Sequence, residues 1–353
     1  MGNNDLFKSF CFVLALAITI WNDFTPTALS HSFDATTIAF VASRTDGHRR
    51  PNQSLFSAPD NDGVVAASPY PSKTTPFHTV QGIRCREVVN ELPVIGTVVV
   101  LEATADAQEE LVDECLELEE DETDDSKEKR IAEGDPYGAV LWPAAWAVSN
   151  YLLSEPELRD NLTSLSILEL GTGTGLVSIA AAMGGAKAVL ATDYEPLALH
   201  LTRYASENLN DKSAARSSSP SPKIIETELL DLCALEAQPL PIEAKGVDVV
   251  VAADIMYEPK TGIAMAHRAV EALKKNCRVI VGDSPGRPGR PAFLKTLREL
   301  GVDDSIDFEE TIGKTCSGPR HDLICGKGST SVSQTEQELS VALLDLKPSM
   351  LKQ

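Results

Sequence analysis

The sequence has few basic residues for its size. It contains 31 Lys and Arg against 52 Asp and Glu, and its formal net charge is −21. Sixteen acids and three bases lie between residues 102 and 135, so this segment alone carries −13. Proteins that bind nucleic acids non-specifically use Lys and Arg to displace phosphate counterions. The charge therefore argues against a nucleic-acid partner and is compatible with a basic protein or a cationic side chain. The acidic segment is either a solvated surface or one that attracts a basic substrate.

The sequence also lacks the cysteine patterns of metal sites and disulfide frameworks. Its seven cysteines form no Cys-x-x-Cys pair, their number is odd, and none clusters with the six histidines. Paired spacings are what identify structural zinc sites and disulfide-rich domains. We therefore expect no metal, no disulfide framework and a folded region that works in a reducing compartment.

The apolar run near the N-terminus is too short for a comfortable membrane span, which takes about 20 residues. This run, Phe10–Trp21, follows Lys8 and precedes the small residues around Ala28. The pattern is typical of a signal segment, and a Ser-, Thr- and Pro-rich stretch follows it, as in the bipartite leaders of complex plastids. We predict that the protein is located in an organelle, a plastid, and that its mature domain is not stably inserted in a membrane. A membrane anchor over residues 10–21, a buried N-terminal helix and a cytoplasmic location are the alternatives.

Strand and helix patterns alternate through the middle of the chain. This alternation predicts an α/β fold with a doubly wound, mostly parallel, seven-stranded Rossmann-like sheet. The last two strands have no helix between them, which predicts an antiparallel edge. The predicted strands are Ser166–Leu170, Ala188–Thr192, Ile224–Leu229, Val247–Ala252, Arg278–Gly282, Ser305–Thr311 and Asp322–Gly326.

Composition divides the chain into five parts. We predict a signal-like targeting segment (1–30), a disordered or transit-like linker (31–80), a β-hairpin and acidic helix extension (81–134), the α/β domain (135–327) and a weakly ordered C-terminal tail (328–353). The hairpin prediction rests on two strand patterns around a Pro/Gly turn between residues 83 and 104.

The turn after the first predicted strand of the sheet is not a complete dinucleotide or phosphate motif. Leu176 occupies the position of the third glycine in Gly-x-Gly-x-x-Gly, and no lysine follows as a phosphate loop requires. The remaining pattern is Glu-x-Gly-x-Gly-x-Gly, formed by Glu169, Gly171, Gly173 and Gly175. Glycines permit a tight turn and close approach of a ligand. The following helix offers unpaired N–H groups. This turn suits a carboxylate or a ribose as well as a phosphate.

Acidic residues end the next two predicted strands. Asp193 lies 20 positions after Gly173, where a carboxylate can accept both hydroxyls of a ribose. Asp231 follows the third strand, where an acid can meet an adenine amino group. Ligands of such sheets bind at the carboxyl ends of the strands, near the switch point. The combination predicts S-adenosylmethionine as the cofactor; the alternative is a glycine turn with unrelated acids in another α/β protein.

Residues from about 135 to 326 resemble the seven-strand S-adenosylmethionine-dependent protein-lysine methyltransferases. Four segments carry the resemblance: DPYGAVLWPAAWAVSNYLL, ILELGTGTGLVSIAAA, VVVAADIMYEP and VIVGDSPGRPGR. The last is similar to a Gly-Asp-Pro-Gly-Arg segment of the electron-transfer flavoprotein β-subunit lysine methyltransferases, from which Ser284 departs as an insertion. The resemblance implies that Trp142 and Ala253 line the cofactor pocket, and that adenine packs on Asp231 and Leu232. The predicted cofactor site is therefore Trp142, Glu169, Gly171, Thr172, Gly173, Gly175, Asp193, Asp231, Leu232 and Ala253.

The segment that closes the fourth strand, Asp254-Ile255-Met256-Tyr257, points to the acceptor. Enzymes that methylate amino groups of nucleic-acid bases usually carry two prolines there, and this chain has none. Asp-x-x-Tyr resembles the lysine-specific version. A lysine is mostly ammonium at pH 7, and removing its proton costs roughly 4–5 kcal/mol. Asp254 could hold the ammonium group, and Tyr257 could offer its ring face or hydroxyl to the amine. The alternative is that Asp254 caps a loop and Tyr257 packs in the core.

These patterns predict a protein-lysine N-methyltransferase that transfers methyl by in-line displacement, where positioning dominates. Its partner would be a protein that presents a lysine, and the enzyme would be a monomer. One alternative is a methyltransferase for a small amine or another metabolite, and another is a non-catalytic binding protein that keeps the cofactor fold. Arg287 and Arg290 either meet an acidic group of a ligand or structure their loop.

Overall fold

The computed structural model of the protein describes residues 76–120, 137–210, 225–315 and 337–352. The predicted targeting segment, most of the predicted linker and the acidic charge run after residue 120 lie outside these residues.

An antiparallel three-stranded sheet precedes the α/β fold. Its strands, in the order β1-β2-β3, are β1 (Phe77–Val80), β2 (Ile83–Leu92) and β3 (Gly96–Ala103), and helix α1 (Ala105–Glu120) follows. The predicted hairpin of β2 and β3 is confirmed. Strand β1 lies within the last residues assigned to the linker, so the ordered region begins earlier than predicted.

Side chains tie this small sheet to the rest of the fold. The Asn210 side chain accepts from Val99 N at 2.9 Å and donates to Val99 O at 2.7 Å, so it pairs with the outer edge of β3 as a strand would. Glu102 accepts from Arg86 and, through Oε2, from Leu141 N at 3.0 Å. These hydrogen bonds fix the segment that leads into the first large helix of the α/β fold.

Within the residues that the structure describes, the main sheet has seven strands in the order β6-β5-β4-β7-β8-β10-β9. The first five are parallel, and β10 is antiparallel to both of its neighbours. The predicted α/β class and its antiparallel edge are therefore confirmed. The strands are β4 (Ser166–Leu170), β5 (Ala188–Asp193), β6 (Ile225–Leu229), β7 (Val249–Ala253), β8 (Arg278–Asp283), β9 (Glu309–Thr315) and β10 (Gln337–Leu346).

Helices cover both faces of this sheet. Neighbouring residues of a strand point to opposite faces, so Ile167 packs in one apolar core and Leu168 in the other. Proline opens four of the helices, where its missing N–H has no intrahelical partner to lose. The helices that the described residues form around this sheet are α2 (Pro143–Ser154), α3 (Pro156–Asn161), α4 (Leu176–Met183), α5 (Pro196–Ala205), α6 (Ile242–Lys245), α7 (Pro259–Lys274) and α8 (Gly289–Glu299).

The C-terminal strand corrects the sequence prediction. Strand β10 lies inside residues 328–353, which were predicted to be a weakly ordered tail, and it inserts between β8 and β9. Its apolar residues serve both cores, with Leu343 on one face and Leu344 on the other. The domain therefore extends beyond residue 327. Strand β9 begins four residues later than predicted, and the predicted strand Asp322–Gly326 lies outside the described residues.

The order of the parallel strands reverses beside β4. The chain proceeds from β4 to β5 and β6 on one side, and then crosses to β7 and β8 on the other. The crevice outside the carboxyl ends of β4 and β7 is the topological switch point, where open α/β sheets bind their ligands.

Candidate functional site

The glycine turn connects β4 to α4 at this switch point. Gly171, Gly173 and Gly175 have φ angles of +69°, +51° and +84°, in the left-handed region that favours glycine. A Cβ on Gly175 would lie 2.5 Å from Thr202 Oγ1, and one on Gly171 would lie 2.5 Å from the Ile255 side chain. Both backbone conformation and close packing therefore require glycine in this turn.

Glu169 fastens the turn to the helix that follows. Its side chain is buried, and Oε2 accepts from Thr172 Oγ1 at 2.8 Å, from Ser178 N at 3.0 Å and from Ser178 Oγ. Burial raises the pKa of Glu169 to about 7; the hydrogen bonds from Ser178 and Thr172 oppose this rise, and the negative charge of Asp193 adds to it. The geometry gives Glu169 a role in shaping the turn, and its direct contact with a ligand stays a prediction.

The raised pKa of Glu169 predicts a specific pH dependence of stability. Between its ordinary pKa of 4.5 and about 7, the folded protein binds more protons than the unfolded chain. The stability that the neutral acid contributes is thus complete below the ordinary pKa and is lost as pH rises through about 7. Glu169→Gln mimics the neutral acid, so it should gain about 2–3 kcal/mol relative to wild type between about pH 5 and pH 8.

Urea unfolding of both proteins at the two pH values measures this difference. Glu228→Gln is a suitable control because Glu228 is an exposed glutamate on β6. The unfolding free energy of the control should differ from that of wild type by the same amount at both pH values. If the unfolding free energy of Glu169→Gln also differs from wild type by the same amount at both pH values, Glu169 does not have a raised pKa in the folded protein.

Asp193 brings the end of β5 against the glycine turn. Its carboxylate is buried, with Oδ2 accepting from Gly173 N and Oδ1 accepting from Glu195 N, each at 3.0 Å. Two predicted site residues 20 positions apart are thus in direct contact. A carboxylate accepts hydrogen bonds through both of its oxygens, which is the chemistry that ribose hydroxyls require.

Asp231 and Leu232 follow β6 at the same edge of the sheet. Leu230 N donates to Asp193 O at 2.9 Å, which places the two predicted acidic positions on adjacent strand ends. The Asp231 side chain is exposed, and its Oδ1 accepts from Cys233 N at 2.7 Å. The strand ends thus bring together the glycine turn, the first acid and this loop.

Trp142 and Ala253 approach from the other side of the switch point. Trp142 immediately precedes α2, and its Nε1 donates to Tyr137 O at 3.0 Å. The guanidinium carbon of Arg287 lies 4.6 Å from the centre of the Trp142 ring. Ala253 is the last residue of β7 and is partly exposed.

Asp254 has an unusual backbone and a fully engaged carboxylate. Its φ is +59°, a left-handed conformation that is uncommon for a residue other than glycine and that clusters at functional sites. Its Oδ2 accepts from Ala144 N at 2.9 Å, and its Oδ1 accepts from Ser284 N at 2.8 Å and from two nitrogens of Arg287 at 3.2 Å. This geometry favours a positioning role over the ammonium contact that the sequence suggested. Tyr257, three residues later, is partly exposed.

The loop after β8 carries a buried charge network whose contacts the sequence did not reveal. Asp283 is fully buried, with Arg290 Nε at 3.5 Å and Arg287 Nε at 4.0 Å from its carboxylate oxygens. Burial raises the pKa of Asp283 well above its usual range, the charge of Asp254 adds to the rise, and the two arginines oppose it. Arg290 also donates to Asp283 O and Ser284 O. Of the two predictions for these arginines, loop structuring is the one the contacts support.

Two further features concern metals and membranes. Within the described ranges, no group of three or more His, Cys, Asp or Glu side chains is arranged to hold a metal ion. In the same part of the chain, none of the helices has the length and apolar character that a membrane crossing requires.

A glycine turn contacted by a strand-end acid at the switch point is typical of α/β domains that bind nucleoside cofactors. The model of the lysine methyltransferase family matches residues 124–299, and the domain belongs to this family. The electron transfer flavoprotein beta subunit lysine methyltransferase of Homo sapiens is 35% identical over 166 residues, which cover 45% of this chain and 52% of that protein. Protein-lysine methyltransferase METTL21E of Mus musculus is 36% identical over 131 residues, covering 37% of this chain and 50% of that protein.

The chain thus spans about half the length of these curated relatives. Among solved structures, the ribosomal protein L11 methylase of Lactobacillus delbrueckii subsp. bulgaricus aligns with 58% of this chain and 76% of its own, at 18% identity and a TM-score of 0.30.

Proposed function

We propose that the protein is an S-adenosylmethionine-dependent protein-lysine N-methyltransferase. The contact between Asp193 and Gly173 at the switch point carries this proposal, because it joins a ribose acceptor to a turn that a ligand can approach closely. Membership of the lysine methyltransferase family supports the same reaction.

The residues at the strand ends fit this cofactor. Asp193 would accept the ribose hydroxyls, and the backbone of the glycine turn would face the amino-acid portion, with Thr172 as part of the turn. Asp231 and Leu232 would meet the adenine, and Trp142 and Ala253 would line the remaining wall. S-adenosylmethionine supplies a methyl group that is activated by its positive sulfur.

The acceptor would reach the methyl group between β7 and the loop after β8. Tyr257 is partly exposed at this position and could orient an amine through its ring or hydroxyl. Asp254 would fix the walls of the site, because it holds the first turn of α2, the Ser284 amide and Arg287. An amine must lose its proton before it attacks, and positioning it in line with the carbon–sulfur bond is the main contribution left to the protein.

We propose a protein that presents a lysine as the substrate. The net charge of −21 favours a basic partner and disfavours nucleic acid. The human relative is named for its action on the electron transfer flavoprotein beta subunit. A small amine is the alternative acceptor, since the same cofactor site would serve either one.

Incubation with a methyl-labelled donor and a lysate of the source cells tests the proposed function. The wild type should label a protein band, and the label should reside on methyl-lysine after hydrolysis. Label confined to small molecules would indicate the alternative acceptor. No label above the level of the Asp193→Ala variant would refute the enzyme and favour a binding protein.

Localisation and oligomeric state rest on the sequence alone. We propose targeting to an organelle, a plastid, through the signal-like residues 1–30, and a monomeric enzyme. A fluorescent fusion of residues 1–80 should accumulate in that organelle, and a diffuse cytoplasmic signal would refute the targeting. Sedimentation velocity of the purified protein should give the mass of one chain.

A further inference from the structure

We propose that Arg268 and Glu271, on α7, position the loop that reads the adenine base and thereby set the nucleobase preference of the site. This inference rests on the proposed function, because it assumes that Asp231 and Leu232 meet the adenine. The two residues act through that loop and are positioning residues.

Arg268 is a fully buried charged side chain whose donors point to one loop. Its exposure is 0%, which is rare for arginine unless the charge is paired. Nη2 donates to Asp231 O at 3.1 Å, and Nε donates to Leu232 O at 3.2 Å. Nη1 donates to Glu271 Oε2 at 3.1 Å, one helical turn further along α7.

Glu271 holds the far end of the same loop. Its Oε1 accepts from Leu240 N at 2.7 Å, while its Oε2 pairs with Arg268. One ion pair on α7 therefore fixes both ends of residues 231–240. Within the loop, Asp231 N donates to Gln238 Oε1 at 2.7 Å, which closes it further.

The two hydrogen bonds from Arg268 fix two consecutive peptide planes. A carbonyl and the N–H of the next residue share one rigid plane. Holding Asp231 O therefore sets the direction of the Leu232 N–H, and holding Leu232 O sets the direction of the Cys233 N–H. The Cys233 N–H in turn donates to Asp231 Oδ1 and orients that carboxylate.

The result is an acceptor and a donor side by side at the end of β6. An acceptor beside a donor matches adenine, whose amino group donates and whose adjacent ring nitrogen accepts. Hypoxanthine reverses this pattern, because its carbonyl accepts and its ring N–H donates. Mispaired polar groups in a site built for hydrogen bonding lower affinity strongly.

An ordinary core role explains these residues poorly. A buried ion pair is often no more stabilising than apolar side chains of similar volume. The neighbours of Arg268 on the buried face of α7, Met265 and Ala269 among them, are apolar. Arg268 is therefore a charged residue among apolar ones, and its side chain binds two carbonyls of the loop.

Calorimetric titration with S-adenosylhomocysteine and with S-inosylhomocysteine tests the inference. Arg268→Lys keeps the charge but loses the guanidinium group that binds two carbonyls. The variant should therefore bind S-adenosylhomocysteine about tenfold more weakly, which corresponds to one or two lost hydrogen bonds. The preference for the adenine compound should shrink, while kcat at saturating cofactor stays near wild type. Arg298→Lys is the matched control, because Arg298 binds the Ile306 carbonyl at 3.1 Å on a different loop; it should change neither affinity nor preference.

Unchanged affinity and unchanged nucleobase preference in Arg268→Lys would overturn the inference, even if the melting temperature falls. Should that variant fail to fold, Glu271→Gln decides, since it keeps an acceptor for Leu240 N and loses the charge that holds Arg268. A weakened preference for adenine supports the inference, and a wild-type preference overturns it. Failure of the wild type itself to bind S-adenosylhomocysteine would instead refute the proposed function.

Discussion

Replacing Asp193 by alanine is expected to weaken the binding of S-adenosylmethionine by about 100-fold or more. The variant loses the charged acceptor for the ribose hydroxyls, and hydrogen bonds to a charged group contribute about 1.5–3 kcal/mol each. It also loses the anchors of Gly173 N and Glu195 N, so the glycine turn is less well held. Isothermal titration calorimetry measures the affinity directly.

Asp248→Ala provides the matched control for this experiment. Asp248 also accepts from a backbone amide, Ser166 N at 2.8 Å, but at the amino end of β4, away from the switch point. The control should lose some thermal stability and retain its affinity for the cofactor. An Asp193→Ala protein that binds as tightly as wild type would reject the ribose assignment.

Replacing Asp254 by asparagine is expected to lower kcat by about 100-fold or more, while the affinity for the cofactor stays nearly unchanged. Asparagine tolerates the left-handed backbone better than alanine, so the variant isolates the loss of charge. The Arg287 guanidinium, which is 11% exposed, would lose the carboxylate that accepts two of its hydrogen bonds. The variant should lose stability, but less than the roughly 3–5 kcal/mol of a buried charge left without any partner, because Asp283 Oδ1 lies 4.0 Å from Arg287 Nε.

A double variant separates stability from catalysis at this position. Asp254→Asn with Arg287→Met removes both charges, so much of the lost unfolding free energy should return. Turnover should not return, because the carboxylate that holds the Ser284 amide on the acceptor side of the site is still missing. Full activity in Asp254→Asn would end the proposed role of this carboxylate in the reaction.

The sequence predicted the parts of the site that depend on local patterns. The bounds of β4 agree with the prediction, because its short apolar run ends at the first glycine of the turn. The sequence also predicted that Asp193 and the glycine turn lie at the same edge of the sheet, because the carboxyl ends of neighbouring parallel strands meet there. Their direct hydrogen bond is a finding of the structure.

The remaining features depend on contacts between distant segments. The donors to Asp254 come from Ala144 and Ser284, which lie 110 and 30 positions away. Strand β10 pairs across a long separation with β8, and the segment that contains it was predicted to be a weakly ordered tail. The position of Arg268 was visible in the sequence, as a charged residue on an otherwise apolar helix face. Its loop partner could not be inferred without the fold.

The most direct test of the cofactor site is a calorimetric titration of the purified wild-type protein with S-adenosylhomocysteine. We expect one binding site per chain with a Kd of about 1–100 µM, in the range where enzymes commonly hold their substrates. A titration that shows no binding heat at several temperatures would contradict a nucleoside cofactor at these strand ends.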